Sequence, residues 1–350
     1  GNCNQTGAAT IVHGLQSIGV DTNFNLEQAF ELGQLSLYEN IEDIPDISVS
    51  MQKFLDGYSL IYHLGASFTE TAHASDGDEA VAELYCSGMY LSSVSYTIPT
   101  DGTCTEDVTF VGNSKKWIND PAVADNLLLD DSALSKTGVH EDFASIFGSD
   151  EPNAPGNHVL RREDVVTTAS GLVGGAGGYS TVVPSIIEGV TTGSEGLIVG
   201  RVPSNAGLVN TDDVHIVSFS CSTDLGREQI NQLGTRTPYN RYVTFPTEVT
   251  STIEMTATAG DNVDAVEDAR TNLLNHEICM VLADSTILHL GKKNKLASIT
   301  YGGGDAGGGN ATITYNFSNF NDMVVLHSGD PIRGNNASTA ATGYWADKFA

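Results

Sequence analysis

The feature that most constrains this chain is a stretch of sequence that occurs twice. The run NLEQAFELGQLSLYENIEDIP, residues 25–45, aligns without gaps on the run that ends at Pro246, at a shift of 201 positions. The identical residues in this alignment are Glu27-Gln28 with Glu228-Gln229, Leu32-Gly33 with Leu233-Gly234, Tyr38 with Tyr239, and Pro45 with Pro246. Because their order and spacing are kept, these identities indicate that one structural unit has been duplicated.

Two later segments extend the repeat. LSSVSY at 91–96 matches LASITY at 296–301 at a shift of 205, and VTFVGN around Phe110 resembles TYNFSN around Phe317 at a shift of 207. The growing shift indicates small insertions in the second copy. The repeat therefore predicts two domains of the same fold, at residues 15–119 and 209–330.

Each copy is predicted to be mainly β, with one short helix, which makes the fold class α+β. YLSSVSYTI and EDVTFV alternate in polarity and are joined by a turn that contains Asp101-Gly102, a strong hairpin pattern. The residues LEQAFEL, from 26 to 32, place their apolar side chains close to one face of a helix, and Gly33 follows in the position of a C-terminal cap. We therefore expect a small β-sandwich or barrel with a helix at 25–32, and an equivalent helix at 226–233.

The residues between and after the copies differ from both. The region 120–208 has a Gly-rich run and short Val- and Ile-rich runs, and it is too apolar to be a disordered linker. We predict that it is an ordered, irregular or β-rich insertion that decorates the core or contacts neighbouring subunits. The tail at 331–350 is polar until its aromatic end, YWADKF, and we predict that it packs on another subunit.

The charge of the chain limits its partners. Asp and Glu number 44 against 16 Lys and Arg, which gives a formal net charge of -28. Such a surface repels nucleic acid phosphates and anionic lipid head groups, so tight binding of DNA or of a membrane is not expected. An acidic wall does suit a passage that DNA must move through without adhering. The chain also lacks an apolar run of about 18 residues, the length that a membrane-spanning helix needs.

The residues that could support chemistry do not form a known motif. The five cysteines are widely spaced and include no C-x-x-C pair, so at most one disulfide is expected and no zinc site. His276-Glu277 resembles the start of H-E-x-x-H, but the second histidine is replaced by Met280. The Gly-rich runs 171–178 and 302–310 lack the flanking elements of a dinucleotide or calcium site. We therefore predict no catalytic residue, no metal and no cofactor, and hence a protein that is not an enzyme.

Two segments of the first copy resemble a known family. The run FNLEQAFELGQLSLYENIEDIPDISVSMQKFLDGYSLIYHL, residues 24–64, is similar to tail tube proteins of tailed bacteriophages, in particular those of marine and cyanobacterial phages. The run SVSYTIPTDGTCTEDVTFVGNSKKW, residues 93–117, resembles the outer hairpin of that family. The second copy resembles the family more weakly, and carrying the domain twice departs from the family pattern.

The resemblance implies a structural virion protein made in the host cytoplasm, whose sheets join between subunits into stacked rings around a DNA channel. It implies a tail sheath and baseplate or terminator proteins as neighbours, with DNA only as non-specific passing cargo. If single-domain relatives form rings of six, a duplicated chain forms rings of three with quasi-sixfold symmetry. We expect contacts between rings at the turns that contain Glu42, Asp43 and Pro45 in one copy and Arg241 and Pro246 in the other, with their opposite charges attracting.

Two alternatives stay open at this point. The chain could be another virion component, such as a capsid or decoration protein or a specialised ring at one end of the tail. It could instead be a secreted, β-rich adhesive or carbohydrate-binding module. That second class usually displays aromatic platforms, and aromatic residues make up only 7% of this chain.

Overall fold

The structure is a computed structural model of the 350-residue chain. It describes residues 14–33, 37–57, 60–61, 68–73, 80–119, 159–166, 181–187, 215–235, 238–257, 263, 275–284, 286–303 and 310–326. Within these ranges, residues 14–119 are called the first half and residues 215–326 the second half.

Strands dominate the described residues. In chain order they are β1 (Leu15–Asn23), β2 (Leu26–Phe30), β3 (Leu37–Glu42), β4 (Asp46–Phe54), β5 (Phe68–His73), β6 (Ala80–Ser87), β7 (Tyr90–Pro99), β8 (Thr105–Gly112), β9 (Ser114–Asn119), β10 (Ile216–Asp224), β11 (Arg227–Ile230), β12 (Asn240–Val243), β13 (Glu248–Thr256), β14 (Cys279–Val281), β15 (Ile287–His289), β16 (Lys295–Gly302), β17 (Thr312–Phe320) and β18 (Val324–Leu326). A short 3-10 helix spans Arg162–Asp164. The prediction of a mainly β fold is confirmed.

One antiparallel sheet of eight strands organises the molecule, in the order β1-β4-β8-β7-β10-β13-β17-β16. Its strands alternate between apolar and polar side chains, as strands with one buried face do. In β4, Ile47, Val49 and Met51 are buried, and in β17, Ile313, Tyr315 and Phe317 are buried. These side chains belong to one hydrophobic core that extends across both halves.

The two halves repeat the same strand order. The first half reads β1-β4-β8-β7 across the sheet, and the second reads β10-β13-β17-β16. Strands β1 and β10 begin and end 201 positions apart, the shift found in the sequence. Bulges recur at matching places, at Leu15/Ser17 and Ile216/Ser218 on β1 and β10 and at Leu91/Ser93 and Leu296/Ser298 on β7 and β16.

A three-stranded sheet accompanies each half, again in the same order. Strands β5-β6-β9 form the first and β14-β15-β18 form the second. Leu84 and Cys86 of β6 and Leu288 of β15 belong to the same core as the buried face of the large sheet. Each half is therefore built as two β layers around shared apolar side chains.

The predicted short helices are wrong. Residues 26–30 form strand β2 and pair antiparallel with β3, from Leu26 opposite Glu42 to Phe30 opposite Leu37. Residues 227–230 form β11, which pairs with β12 in the same way. We call these pairs hairpin 1 (β2–β3) and hairpin 2 (β11–β12).

The reason for the error is that a helix of about eight residues is unstable in water unless its apolar stripe packs on a core. The side chains of Leu26, Phe30 and Leu32 are exposed here, so that support is missing. A hairpin instead satisfies the backbone through the neighbouring strand. Gly33 and Gly234 both have φ near +90° beside the hairpin turns, so each serves a turn and not a helix cap.

The described parts of the predicted insertion contribute buried side chains to the core. The amide of Leu160 donates to Leu55 O, and the amide of Cys104 donates to Leu160 O. Val182 forms a bridge with Cys279 in the second half, and Val183, Ile186 and Ile187 are buried. Leu160 and the segment 181–187 therefore form part of the core and do not decorate it, while Arg161, Arg162 and Glu163 are exposed. The other residues of 120–208, and the predicted tail at 331–350, lie outside the described residues.

Two further findings concern the described residues alone. Their four cysteines, Cys86, Cys104, Cys221 and Cys279, are buried free thiols. Burial raises the pKa of the Cys221 thiol to about 12. None of their helices is long and apolar enough to cross a membrane.

Candidate assembly surface

The two halves meet through a continuous strand pairing, which we call the internal joint. Strand β7 pairs antiparallel with β10, from Pro99 opposite Ser218 to Ser93 opposite Asp224. The amide of Leu225 donates to Ser92 O at 2.7 Å, and that of Thr100 donates to Val217 O at 2.8 Å. Paired residues alternate between hydrogen-bonded and non-hydrogen-bonded positions. Ser222 and Ser95 are therefore a closely spaced, non-hydrogen-bonded pair.

The outermost strands of the large sheet are β1 and β16. Among the described residues, β1 pairs only with β4, and β16 pairs only with β17. A free strand edge presents unpaired backbone N–H and C=O groups and readily accepts another strand. The two free edges are also the counterparts in the repeat of β10 and β7, the strands that join the halves.

Arg241 on β12 anchors hairpin 2 to the first half. It is buried, and its Nη2 lies 2.9 Å from Asp46 Oδ1 at the start of β4. The guanidinium also donates to Asn113 Oδ1 and to Gln229 Oε1. The expected contact of Arg241 with a neighbouring subunit stays a prediction. Within its own chain, the charge of Arg241 has Asp46 as its partner.

The other predicted contact residues lie on the same side of the molecule. Glu42 ends β3 opposite Leu26, and the exposed Asp43 accepts a hydrogen bond from the Ile44 amide. Pro45 O accepts a hydrogen bond from Asn113 Nδ2 at 2.8 Å. Pro246 is exposed after β12. The side chain of Asn113 therefore links the turn after hairpin 1 to Arg241 of hairpin 2.

The face of the large sheet that points away from the core is called the open face. It was not predicted from the sequence. It is covered by hydroxyl and carboxylate side chains at alternating strand positions. On β1, β4, β8, β7 and β10, where a shallow depression lies, they include Ser17, Ser50, Ser93, Ser95, Asp107, Thr109, Ser222 and Asp224. On β13 and β17 they include Thr250, Thr252, Glu254, Thr314 and Ser318. The alternation of Ser and Thr along these strands could have predicted this face.

His276 and Glu277, which resemble the start of a zinc-binding motif, both contact other residues of the chain. His276 forms a backbone bridge with Asn294, and its ring meets the edge of Phe317 at 6.3 Å between centroids. Burial lowers the pKa of His276, so its ring is neutral at pH 7. His289 Nε2 lies 3.2 Å from Glu277 Oε1. The Gly-rich run at 171–178 and residues 304–309 of the second Gly-rich run lie outside the described residues.

Comparison with known proteins gives little. No protein-family model matches the chain, and no curated protein matches it. A chain of a solved structure described as the virion of a native gene transfer agent (GTA) particle is 14% identical to this one. The match covers 35% of this chain and 99% of that chain, with a TM-score of 0.24. A match with so low a TM-score does not support a functional assignment, so any assignment has to rest on the edges of the large sheet.

Proposed function

We propose that the chain is a non-catalytic structural subunit of a virion that closes into rings, and that these rings stack into the tube of a phage tail. The observation that carries the proposal is the pair of free edges on the large sheet. Strands β7 and β10 join the two halves, and within the described part of the chain their counterparts β16 and β1 have no neighbour on one side. Joining β16 of one chain to β1 of the next continues the sheet.

A closed ring is the arrangement that leaves no edge exposed. Contacts between two different surfaces close into a ring when the rotation per subunit divides a full turn, and otherwise form an open filament. The repeated halves make each chain supply two similar places, so three chains give a ring with quasi-sixfold symmetry. This ring size follows from the resemblance to tail tube proteins together with the repeat.

The open face fits the wall of a DNA channel. Its hydroxyl groups offer hydrogen bonds to water, and its carboxylate groups repel the phosphates of DNA. Among its residues on the eight strands, Lys295 is a cation at one end, where β16 begins. DNA would pass such a wall as unbound cargo. The tail sheath and the baseplate or terminator proteins are the neighbours we propose for the outer surface and the tube ends.

Electron microscopy of the purified chain tests the proposal. We expect rings and stacked tubes with three chains per ring and an acidic channel. Shells would favour a capsid or decoration protein, and single unstacked rings would favour a tail-end ring. A chain that stays monomeric at all concentrations would refute the proposal and favour an adhesive module. Stoichiometric transition metal in the purified assembly would contradict the absence of a metal site.

A further inference from the structure

The internal joint supplies a template for the contact between chains. We propose that β16 of one chain pairs antiparallel with β1 of a second copy in the register of the internal joint, and that apolar side chains hold this contact where arginines hold the internal one. We call it the chain-to-chain joint. The inference rests on the proposed ring, and it adds which residues meet and what chemistry joins them.

The register follows from the repeat. Strand β10 corresponds to β1 at a shift of 201, and the bulges at Leu91/Ser93 and Leu296/Ser298 fix the shift of β16 from β7 at 205. The internal pair Ser222–Ser95 then becomes Asp21 of one chain opposite Thr300 of the other. It keeps the non-hydrogen-bonded spacing, with Cα atoms about 4.5 Å apart. The core-facing pair Cys221–Tyr96 becomes Val20 opposite Tyr301.

Exposure of apolar side chains at the free edges supports a second copy as the occupant. Tyr301 points to the core side of the sheet, opposite Ile313, yet it is 63% exposed. Its counterpart Tyr96, covered by β10, is 0% exposed. Phe24, which follows β1, is 61% exposed, and its counterpart Leu225 donates its amide to β7 and is half-buried. As far as the described residues show, each edge lacks the neighbour that its counterpart has.

The arginines of the internal joint are absent from the free edge. Arg227 donates to Leu91 O, and its guanidinium lies 5.7 Å from the centre of the Tyr90 ring. The repeat places Leu26 at the position of Arg227 and Lys295 at that of Tyr90. A leucine there avoids repulsion from the lysine, and its 62% exposed side chain is available for apolar contact.

The second arginine is replaced in the same manner. Asn40 stands at the position of Arg241, while Glu248 begins β13 as Asp46 begins β4. The acidic partner is therefore kept, and the cation is lost. Ion pairs weaken as salt rises, whereas burial of apolar surface does not. The chain-to-chain joint should therefore persist at 1 M NaCl.

Disulfide trapping tests the register. In the variant D21C/T300C, the matched cysteines meet the geometric limits of a disulfide, and we expect covalent dimers and trimers on non-reducing gels. S17C/T300C shares one cysteine but is four residues out of register, about 13 Å along the strand, and should not cross-link. S95C/S222C places the same spacing at the internal joint and should form an intrachain disulfide, which shows that this geometry allows the bond.

A gain-of-function variant tests the chemistry. Asn40→Arg puts a guanidinium opposite Glu248 of the next chain, as Arg241 lies opposite Asp46. At low salt, we expect the protein concentration at which half of the chains are assembled to fall about two- to fivefold, because one partly exposed ion pair contributes about that much. At 1 M NaCl the ion pair is screened, and this concentration should return to the wild-type value. Asn40→Gln is the uncharged control and should leave it unchanged.

The outcomes separate this inference from the proposed function. Rings with no cross-link in D21C/T300C, or with equal cross-linking in S17C/T300C, overturn the register while the ring stands. A ladder of cross-linked species beyond the trimer supports the edge pairing and contradicts closed rings of three. Wild-type assembly that dissociates at 1 M NaCl, or N40R that assembles no better than N40Q, overturns the apolar joint.

Discussion

Replacing Arg241 with asparagine gives the internal joint the residue found at the matching position of the free edge, Asn40. The variant loses an ion pair with Asp46, whose side chain is 54% exposed, so that pair contributes only about 0.2–1 kcal/mol. It also loses hydrogen bonds donated to Asn113 and Gln229, each worth about 0.5–1.5 kcal/mol net. The variant also avoids the cost of burying a charged guanidinium, which offsets part of this loss. We expect hairpin 2 to lose about 2 kcal/mol of local stability.

Native-state amide hydrogen exchange measures this loss directly, because it reports local opening without requiring two-state unfolding of the whole chain. A loss of about 2 kcal/mol corresponds to exchange about 30-fold faster at the amides of β11 and β12. The side-chain bonds of Arg241 among the described residues go to Asp46, Asn113 and Gln229, which lie outside hairpin 1, so the amides of β2 and β3 serve as an internal reference. Arg241→Lys keeps the charge but not the planar fork, and it should give an intermediate rate. Equal acceleration in both hairpins, or a change below about threefold, would refute the reasoning.

Three further predictions concern the core. Tyr96→Phe removes the hydroxyl that donates to Glu106 Oε1 at 2.9 Å in a fully buried site. The midpoint of urea unfolding should fall by the equivalent of about 1–3 kcal/mol. An unchanged midpoint would contradict a structural role for this hydrogen bond. Burial lowers the pKa of His276 below its value in the unfolded chain. The unfolded chain therefore binds more protons, and stability is lost as pH falls below about 6.5. His276→Gln should flatten this part of the curve of unfolding free energy against pH. Burial raises the pKa of the Cys104, Cys221 and Cys279 thiols to about 12. In a Cys3→Ser background, these thiols should therefore resist alkylation at pH 8 until urea is added. Rapid labelling of the folded chain would disprove their burial.

The repeat and most of the large sheet can be read from the order of residues alone. The shifts of 201 and 205 align the ends of β1 with β10 and the start of β7 with β16. The hairpins β7–β8 and β16–β17 follow from two-residue alternation and a Gly-containing turn. Such patterns are local, because one buried face imposes its period on every strand that contributes to it. They also place the Ser and Thr residues of the open face.

The conformation and contacts of the repeated segments depend instead on their surroundings in the folded chain. Residues 26–30 have helical spacing, but they project from the sheet, where no surface covers a helix stripe and a neighbouring strand supplies the hydrogen bonds. Arg241 and Asn40 occupy the same place in the repeat, yet only Arg241 has the other half beside it, and its charge is neutralised by a residue 195 positions away. Pairing β7 with β10 depends on long-range geometry that no local pattern encodes. That pairing makes one sheet of two repeats and leaves β1 and β16 as its free edges.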